Sequence, residues 1–296
     1  MTFRPPRILA SLAMMSRDPA RFGRQATNAL DVLQRYIATP FVRPNENAII
    51  VLGNSKAGTT VIAALLAEYG DLSVTLDFWP RLRRPETLAA VHAGERPFEA
   101  FVRRFRADFA RDVVKDPHLT FLYPQLAQRF PQARFVMVMR DPRDNIRSIL
   151  NRLELPGDLD DLDPEAYRRM RPLWEAILKG PWLDVEGNYV ERLADRWSLG
   201  ARVYLQHQEE IELIRYEDFV ADKLGAITGL AERLGVEQRG CIEHKLDTRY
   251  QPPGDRDVGR REFFGPSNLR AIEARCAEAA RALGYMDSGR NSTSEG

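Results

Sequence analysis

Uninterrupted apolar runs mark the strands of this 296-residue chain. The two strongest runs are residues 48–52 (AIIVL) and 135–139 (FVMVM), and shorter, mostly apolar segments occupy residues 112–114 (DVV) and 211–214 (IELI). A strand with one solvated face alternates apolar and polar residues, whereas a parallel strand covered on both faces is apolar throughout. The runs therefore predict buried parallel strands.

Helical patterns fall between these runs. From residue 59 to residue 69 the apolar positions recur at the spacing of one buried helix face, and Gly70 is expected to end that helix. After the second run, Asp141 is suited to cap a helix that begins with Pro142. Strands that alternate with helices predict a single α/β domain with a central parallel sheet flanked by helices. Ligand sites in such sheets lie at the carboxyl ends of the strands.

The domain organisation follows from where these patterns begin and end. We expect an N-terminal helical extension over residues 1–46, the α/β domain over residues 47–285 and a flexible tail over residues 286–296. The apolar stretch at residues 8–15 is shorter than the roughly 20 residues that span a bilayer, so no transmembrane segment is expected. We interpret it as a helix that packs on the domain or contacts a membrane surface peripherally, and a signal peptide stays open.

The charge balance bears on the partners rather than on the fold. Lys and Arg total 43 and Asp and Glu total 42, and the resulting net charge of +1 argues against a nucleic-acid-binding protein. A local anion site is compatible with this balance. Cys241 and Cys276 are too few for a disulfide framework and are expected to be packing residues. This cysteine usage suits a reducing compartment and predicts a cytoplasmic location.

The segment with the strongest chemical signal is residues 53–60 (GNSKAGTT), between the first strand and the first helix. At that position, backbone N–H groups and the positive end of a helix dipole form a cradle for phosphate. The loop departs from the Walker A pattern, because Lys56 lies two residues before Gly58 and Thr59 stands where a P-loop kinase has lysine. A small-molecule kinase stays open as an alternative.

This loop resembles the 5′-phosphosulfate-binding loop of sulfotransferases that use 3′-phosphoadenosine 5′-phosphosulfate as the sulfuryl donor. The residues that carry the resemblance are Ser55, Lys56, Ala57, Gly58, Thr59 and Thr60. The family's second segment is also present, because Arg140 follows the 135–139 run and Ser148 lies eight residues later. The resemblance implies a P-loop NTPase-like sulfotransferase architecture with the donor as co-substrate. It also implies that Arg140 and Ser148 hold the 3′-phosphate of the donor.

The resemblance implies roles for further basic residues. Lys56 would contact the bridging oxygen of the donor as the leaving phosphate gains charge, and Lys115, at a strand end, would face the sulfuryl group or the acceptor. Arg260 and Arg261 lie where cytosolic members have a basic loop over the 3′-phosphate and adenine, and a plain charged loop is the alternative. These residues require no metal.

Two residues compete for the role of general base toward the acceptor hydroxyl. Asp77 lies 21 residues after Lys56, similar to the position where glycan and tyrosylprotein sulfotransferases place a glutamate. His118 is suited by its titration near neutrality, but it lies one residue later than the histidine of the cytosolic sulfotransferases, where this chain has Pro117. Both assignments stay open. The other histidines, expected in surface or packing positions, are His92, His207 and His244.

The predicted reaction is the transfer of a sulfuryl group to the hydroxyl of an acceptor molecule. Glycan, lipid and small-molecule acceptors are favoured over peptide tyrosine, and the oligomeric state is left open. A catalytically inactive, nucleotide-binding relative of the sulfotransferases is the remaining alternative. The segment 215–219 (RYEDF) resembles the family's Arg-Tyr-Glu-Asp-Leu segment and is expected to be mainly structural.

Overall fold

The part of the chain described by the computed structural model comprises residues 42–77, 86–248 and 258–286. Most of the expected N-terminal extension, residues 1–41, lies outside this part, together with the apolar stretch at residues 8–15. Residues 287–296 of the expected tail lie outside it as well. The helix and the peripheral membrane contact assigned to the extension therefore stay predictions. Within the described ranges, none of the helices combines the length and the apolar character needed to cross a membrane.

A parallel sheet forms the centre of the described fold. Its five strands are β1 (Ile49–Gly53), β2 (Val74–Thr75), β3 (Val113–Lys115), β4 (Arg134–Met139) and β5 (Ile211–Arg215). They are arranged in the order β2-β3-β1-β4-β5, and every neighbouring pair is parallel. This arrangement confirms the predicted α/β class with a central parallel sheet.

β1 is buried on both faces, as its unbroken apolar sequence predicts. Ile50 and Leu52 contribute to the core on one side of the sheet, and Ile49 and Val51 contribute to the core on the other side. All five residues of the strand are buried. Because side chains alternate across a strand, only an all-apolar sequence can satisfy both cores. The strand begins and ends one residue later than predicted, since it includes Gly53.

Helices cover both faces of this sheet. They are α1 (Thr59–Gly70), α2 (Glu86–His92), α3 (Phe98–Arg104), α4 (Arg106–Phe109), α5 (Tyr123–Arg129), α6 (Pro142–Leu153), α7 (Pro164–Arg169), α8 (Pro172–Lys179), α9 (Tyr189–Gln206), α10 (Tyr216–Ala221), α11 (Lys223–Arg233) and α12 (Arg260–Ala282). Apolar residues of α1 and α11 pack on one face, and those of α6, α9 and α12 pack on the other. Short 3₁₀ helices occupy Pro117–Leu122 and Glu243–Lys245.

Two helix ends test the sequence signals. Asp141 caps α6 as predicted, with its side chain accepting a hydrogen bond from the Arg143 N–H and with Pro142 in the first turn. The end of α1 differs, because Gly70 is still helical and the left-handed residue is Asp71, with φ 51°. Gly70 is needed for close packing, since a Cβ atom there would lie 2.6 Å from Val236 Cγ1.

One packing prediction is wrong. Cys276 is buried as expected, but Cys241 is exposed. Its thiol lies 2.9 Å from the Glu243 carboxylate at the surface, between α11 and the second 3₁₀ helix. A polar partner in solvent replaces the core contacts that the sequence suggested.

A buried threonine fixes the end of β1, where the phosphate-loop segment begins. The Thr120 hydroxyl accepts a hydrogen bond from the Gly53 N–H at 2.8 Å and donates one to the Gly53 carbonyl oxygen at 3.1 Å. Thr120 is fully buried in the 3₁₀ helix that follows β3. The chain after β3 therefore holds the last residue of β1 in place.

Replacement of this threonine tests the contact. Thr120→Val keeps the shape of the side chain but removes both hydrogen bonds in a buried setting, so the free energy of unfolding should fall by about 1–3 kcal/mol. Urea unfolding monitored by circular dichroism measures this change. Thr228→Val, at a half-buried position of α11, is the matched control and should shift the midpoint far less. Equal midpoints for Thr120→Val and the wild type would contradict the assignment.

Candidate functional site

The loop between β1 and α1 has the backbone of an anion cradle. Gly58 precedes α1 with φ 103°. Because glycine has no side chain, no side chain at this position caps the N–H groups of the first turn of α1. Lys56 has φ 66°, a left-handed conformation that is uncommon for a residue with a side chain. Such strain is found at functional sites where the surrounding structure maintains it.

Side chains from the next strand and helix hold the loop in this shape. Arg140, directly after β4, donates from Nη1 to the Lys56 carbonyl oxygen at 3.0 Å. Asn145 of α6, which is fully buried, donates from Nδ2 to the Ser55 carbonyl oxygen at 2.9 Å. Two loop carbonyls are thus bonded to the protein, which fixes the strained Lys56 conformation from behind.

Tyr216 lies against the same loop and explains why position 58 is glycine. A Cβ atom on Gly58 would lie 2.3 Å from the Tyr216 ring. The Arg140 guanidinium stacks on the same Tyr216 ring, with Cζ 4.6 Å from the ring centroid. Glu217 accepts a hydrogen bond from the Asp141 N–H at 2.9 Å. The RYEDF segment thus makes the contacts that a structural role requires. Its partners are the loop and the two residues that follow β4.

Positive charge is concentrated beside this loop. Burial, followed by the nearby Arg152 and Arg140 charges, lowers the pKa of Lys56 to about 8. Ser148 is half-buried on α6, and Arg152 lies four residues later on the same helix face. Arg152 was not identified from the sequence, although the four-residue spacing from Ser148 was a usable signal. An anionic ligand would relieve the repulsion among these cations.

The two predicted basic residues near the last helix differ in their surroundings. The Arg260 guanidinium lies 2.7 Å from the Asp144 carboxylate and 3.3 Å from the Asp141 carboxylate, at the N-terminus of α6. Arg261 is exposed. Arg260 therefore has carboxylate partners within the chain, and contact of either arginine with a nucleotide stays a prediction.

Lys115 and Asp77, both predicted as catalytic residues, form an ion pair at the ends of neighbouring strands. The Lys115 ammonium is only 2% exposed and lies 3.0 Å from Asp77 Oδ1. Burial raises the pKa of the Asp77 carboxyl group, and the charge and hydrogen bond of Lys115 oppose this rise. Asp77 keeps 27% of its side chain exposed, so a ligand can reach it.

His118, the other predicted base, is buried beside this pair. Its backbone N–H donates to the Asp116 side chain at 2.9 Å, and its ring centroid lies 6.0 Å from that of Trp182. Burial and the charges of Arg196, His92 and Lys115 hold the pKa of His118 well below its usual range. The imidazole is therefore neutral at physiological pH.

His92 belongs to the same region, although the sequence suggested only a surface or packing role. Its ring stacks on Trp182 with a centroid distance of 6.4 Å and an interplanar angle of 13°. Burial and the Arg196 charge lower its pKa to about 4. His92 and Trp182 are far from His118 along the chain, so no local spacing could have revealed the contact.

Arg196 was also missed by sequence reasoning. It is 0% exposed and donates from Nε to Asn54 Oδ1 in the loop at 3.2 Å. Its Cζ atom lies 4.4 Å from the centroid of the Phe121 ring. Burial lowers the pKa of Arg196 to about 9, and the Asp116 charge opposes this effect. The pattern of α9 indicated core packing, and a charged residue within it carried no separate signal.

The candidate residues thus lie at one edge of the sheet. Lys115 is the last residue of β3. The residues that follow the ends of the other four strands are Lys56 after β1, Asp77 after β2, Arg140 after β4 and Tyr216 after β5. Carboxyl ends of parallel strands meet at the same edge, which is where such folds bind ligands. In the described ranges, no group of three or more His, Cys, Asp or Glu side chains is arranged to hold a metal ion.

The sequence matches a family model over just over half of its length. Residues 86–239 match the sulfotransferase family. This range includes Lys115, His118, Arg140 and Ser148 but not the loop at residues 53–60. No curated protein matches the sequence.

Several solved structures are similar to the chain in fold. Sulfotransferase STF1 from Mycobacterium tuberculosis H37Rv is 15% identical, with a TM-score of 0.49 and coverage of 84% of this chain and 80% of that one. Mouse sulfotransferase SULT7A1, complexed with PAP, is 16% identical, with a TM-score of 0.46 and coverage of 82% and 88%. STF9 from Mycobacterium avium is 14% identical, with a TM-score of 0.45 and coverage of 85% and 80%. These TM-scores are below 0.5. The α/β architecture is therefore assigned from the sheet topology of the chain itself.

The low pKa of Lys56 predicts how anion binding depends on pH. Below pH 8 the ammonium is charged and attracts an anion, and above pH 8 that charge is lost. The dissociation constant of an anion such as inorganic sulfate should therefore rise by up to about tenfold between about pH 7 and pH 9, because sulfate stays doubly charged over that range. Isothermal titration calorimetry measures it. Lys56→Arg, which stays charged, should abolish the dependence, and a flat wild-type profile would contradict the assignment.

Proposed function

Because the chain belongs to the sulfotransferase family, we propose that it transfers a sulfuryl group from 3′-phosphoadenosine 5′-phosphosulfate to a hydroxyl group of an acceptor molecule. The observation that carries this proposal is the loop at residues 53–60 with its cations. The loop lies outside the residues that match the family, so it supports the proposal independently. Glycan, lipid or small-molecule acceptors suit the buried surroundings of His118 better than a tyrosine of a folded protein.

The cations beside the loop suit a donor with two anionic ends. Lys56 and the first turn of α1 bind the phosphosulfate, where backbone N–H groups and the helix dipole favour negative charge. Arg140 and Ser148 bind the 3′-phosphate, with Arg152 as an additional cation. The planar Arg140 guanidinium is already fixed by Lys56 and Tyr216, so its orientation costs little further entropy on binding.

In the transfer step, one residue accepts a proton and another stabilises the charge on the leaving phosphate. Asp77 takes the proton of the acceptor hydroxyl while the hydroxyl oxygen forms a bond to sulfur. The bond between sulfur and the bridging oxygen breaks, and the electron pair stays on the 5′-phosphate. Lys56 stabilises that developing charge, and Lys115 orients the Asp77 carboxylate through their hydrogen bond.

The opposite pKa shifts support Asp77 rather than His118 as the base. Burial raises the pKa of Asp77, which makes its carboxylate a better proton acceptor near neutral pH. The same burial holds the pKa of His118 well below its usual range, which makes its ring a weaker one. His118 then contributes a neutral hydrogen-bonding ring beside the acceptor.

Binding of the desulfated donor tests the donor assignment. Calorimetry should detect binding of 3′-phosphoadenosine 5′-phosphate and a much weaker binding of ATP. Arg140→Ala removes charge-assisted hydrogen bonds and should weaken the binding about tenfold or more. Lys56→Ala should lower turnover about 10²-fold, a larger effect than on binding. Arg168→Ala, an exposed arginine of α7, is the control. Tight ATP binding without binding of the bisphosphate would favour a kinase.

Paired variants test the base assignment. Asp77→Asn is close in shape and cannot accept the proton, so kcat should fall about 10²-fold or more while affinity for the bisphosphate is kept. His118→Asn should retain most of the turnover. Transfer of labelled sulfate measures both, and Asp71→Asn, at an exposed left-handed position, is the control. The reverse order of effects would assign the base to His118.

A further inference from the structure

Four polar side chains from separate segments meet beside the Lys115–Asp77 pair. We call His92, His118, Trp182 and Arg196 the polar cluster. The ring centroids of His92 and His118 lie 6.4 Å and 6.0 Å from that of Trp182. Arg196 joins through Phe121, whose ring lies 4.4 Å from Arg196 Cζ and 6.5 Å from the His92 ring.

Each member of the polar cluster has a buried nitrogen without a hydrogen-bond partner among the described residues. These atoms are His92 Nε2, His118 Nδ1, Trp182 Nε1 and both terminal nitrogens of Arg196. A buried polar group that makes no hydrogen bond destabilises the folded state, and native structures contain few such groups. Several lie in one place, two of them on the fully buried Arg196 side chain, and together they are polar atoms that the hydroxyl groups of a ligand could satisfy.

The charges around the polar cluster are balanced in pairs. Lys115 is paired with Asp77 at 3.0 Å. The charge of Arg196 is opposed by that of Asp116, which is buried as well. The rings of His92 and His118 are neutral at physiological pH. The described charges of this region are therefore matched in sign, and the region chiefly offers hydrogen bonds to a ligand.

We propose that the polar cluster is the acceptor subsite and that it binds an uncharged, polyhydroxylated ring such as a neutral sugar, an inference that rests on the proposed sulfuryl transfer. A hydroxyl group both donates and accepts, so it can satisfy the donors of Arg196 and Trp182 and a neutral imidazole in either tautomer. The Trp182 ring is half-buried and stacked with His92, so the part that stays exposed can contact the C–H face of a sugar. A simple phenol has one oxygen and leaves most of these nitrogens unpaired, and a carboxylate or sulfate only accepts and needs unbalanced positive charge.

A panel of acceptors tests this assignment with the wild-type protein. The probes are methyl β-D-glucopyranoside and myo-inositol as neutral polyols, 4-nitrophenol and 2-naphthol as phenols, and a hyaluronan tetrasaccharide as a carboxylated glycan. Transfer of ³⁵S from the labelled donor should favour at least one polyol over the phenols and the carboxylated glycan by about tenfold or more in kcat/KM. A preference for a phenol or for the anionic glycan overturns the inference, and so does the absence of transfer to both polyols.

Variants of the polar cluster test the role of individual nitrogens. Trp182→Phe and His92→Phe keep an aromatic ring and delete the polar atom, so each should raise KM for the polyol about tenfold with a smaller change in kcat. Trp174→Phe, a half-buried position on α8, is the matched control. An unchanged KM in both cluster variants also overturns the inference.

The donor and acceptor assignments fail in different ways. Calorimetry with 3′-phosphoadenosine 5′-phosphate should give Trp182→Phe, His92→Phe and Trp174→Phe an affinity within about twofold of the wild type, which also verifies folding. If the wild type does not bind the bisphosphate, the proposed function itself is contradicted. Bisphosphate binding with transfer only to a phenol supports the proposed function and overturns the acceptor assignment.

Discussion

The parallel pairing of β1 with a neighbour on each side is the constraint on which the site depends. In this register Val51 lies opposite Lys115 of β3, and Gly53 lies opposite Val138 of β4. The loop after Gly53 therefore leaves the sheet between the segments that carry Lys115 and Arg140. Because β1 is apolar on both faces, burial alone does not select this register. The Thr120 hydroxyl, which is bonded to both backbone groups of Gly53, fixes the end of the strand and hence which cations flank the loop.

The chain stabilises an unfavourable loop before any ligand binds. Lys56 is left-handed in its backbone, partly buried and close to two arginines, all of which oppose its charged form. Hydrogen bonds from Arg140 and Asn145 to loop carbonyls hold this arrangement together. An anion would gain from cations that are already positioned, whereas the polar cluster has buried nitrogens that make no hydrogen bond among the described residues. The two parts of the proposed site therefore differ in what they would offer a ligand, positive charge in one and hydrogen bonds in the other.

Sequence patterns predicted the features that depend on neighbouring residues. The parallel strands, the Asp141 cap and the strand–loop–helix arrangement at residues 53–60 each follow from local periodicity or spacing. Gly70 and Cys241 were misjudged because tertiary contacts, rather than residue type, decide where α1 ends and which thiol is buried. Arg196 and His92 were missed for a related reason, since their meaning arises only when α2, α9 and the segment containing Trp182 meet. The family match begins at residue 86, so the loop had to be identified from its own residues.

One property of the environment accounts for both the acid–base and the binding behaviour of the acceptor side. Burial disfavours the charged form of every group, so it raises the pKa of a carboxyl group and lowers the pKa of an imidazole. Burial raises the pKa of Asp77 against the opposing charge of Lys115, and it lowers the pKa of His118 and His92, which are neutral rings. A neutral imidazole retains one donor and one acceptor nitrogen, whereas an imidazolium would only donate. The burial that raises the pKa of Asp77, the proposed proton acceptor, therefore also gives the two histidines the hydrogen-bonding capacity that matches hydroxyl groups.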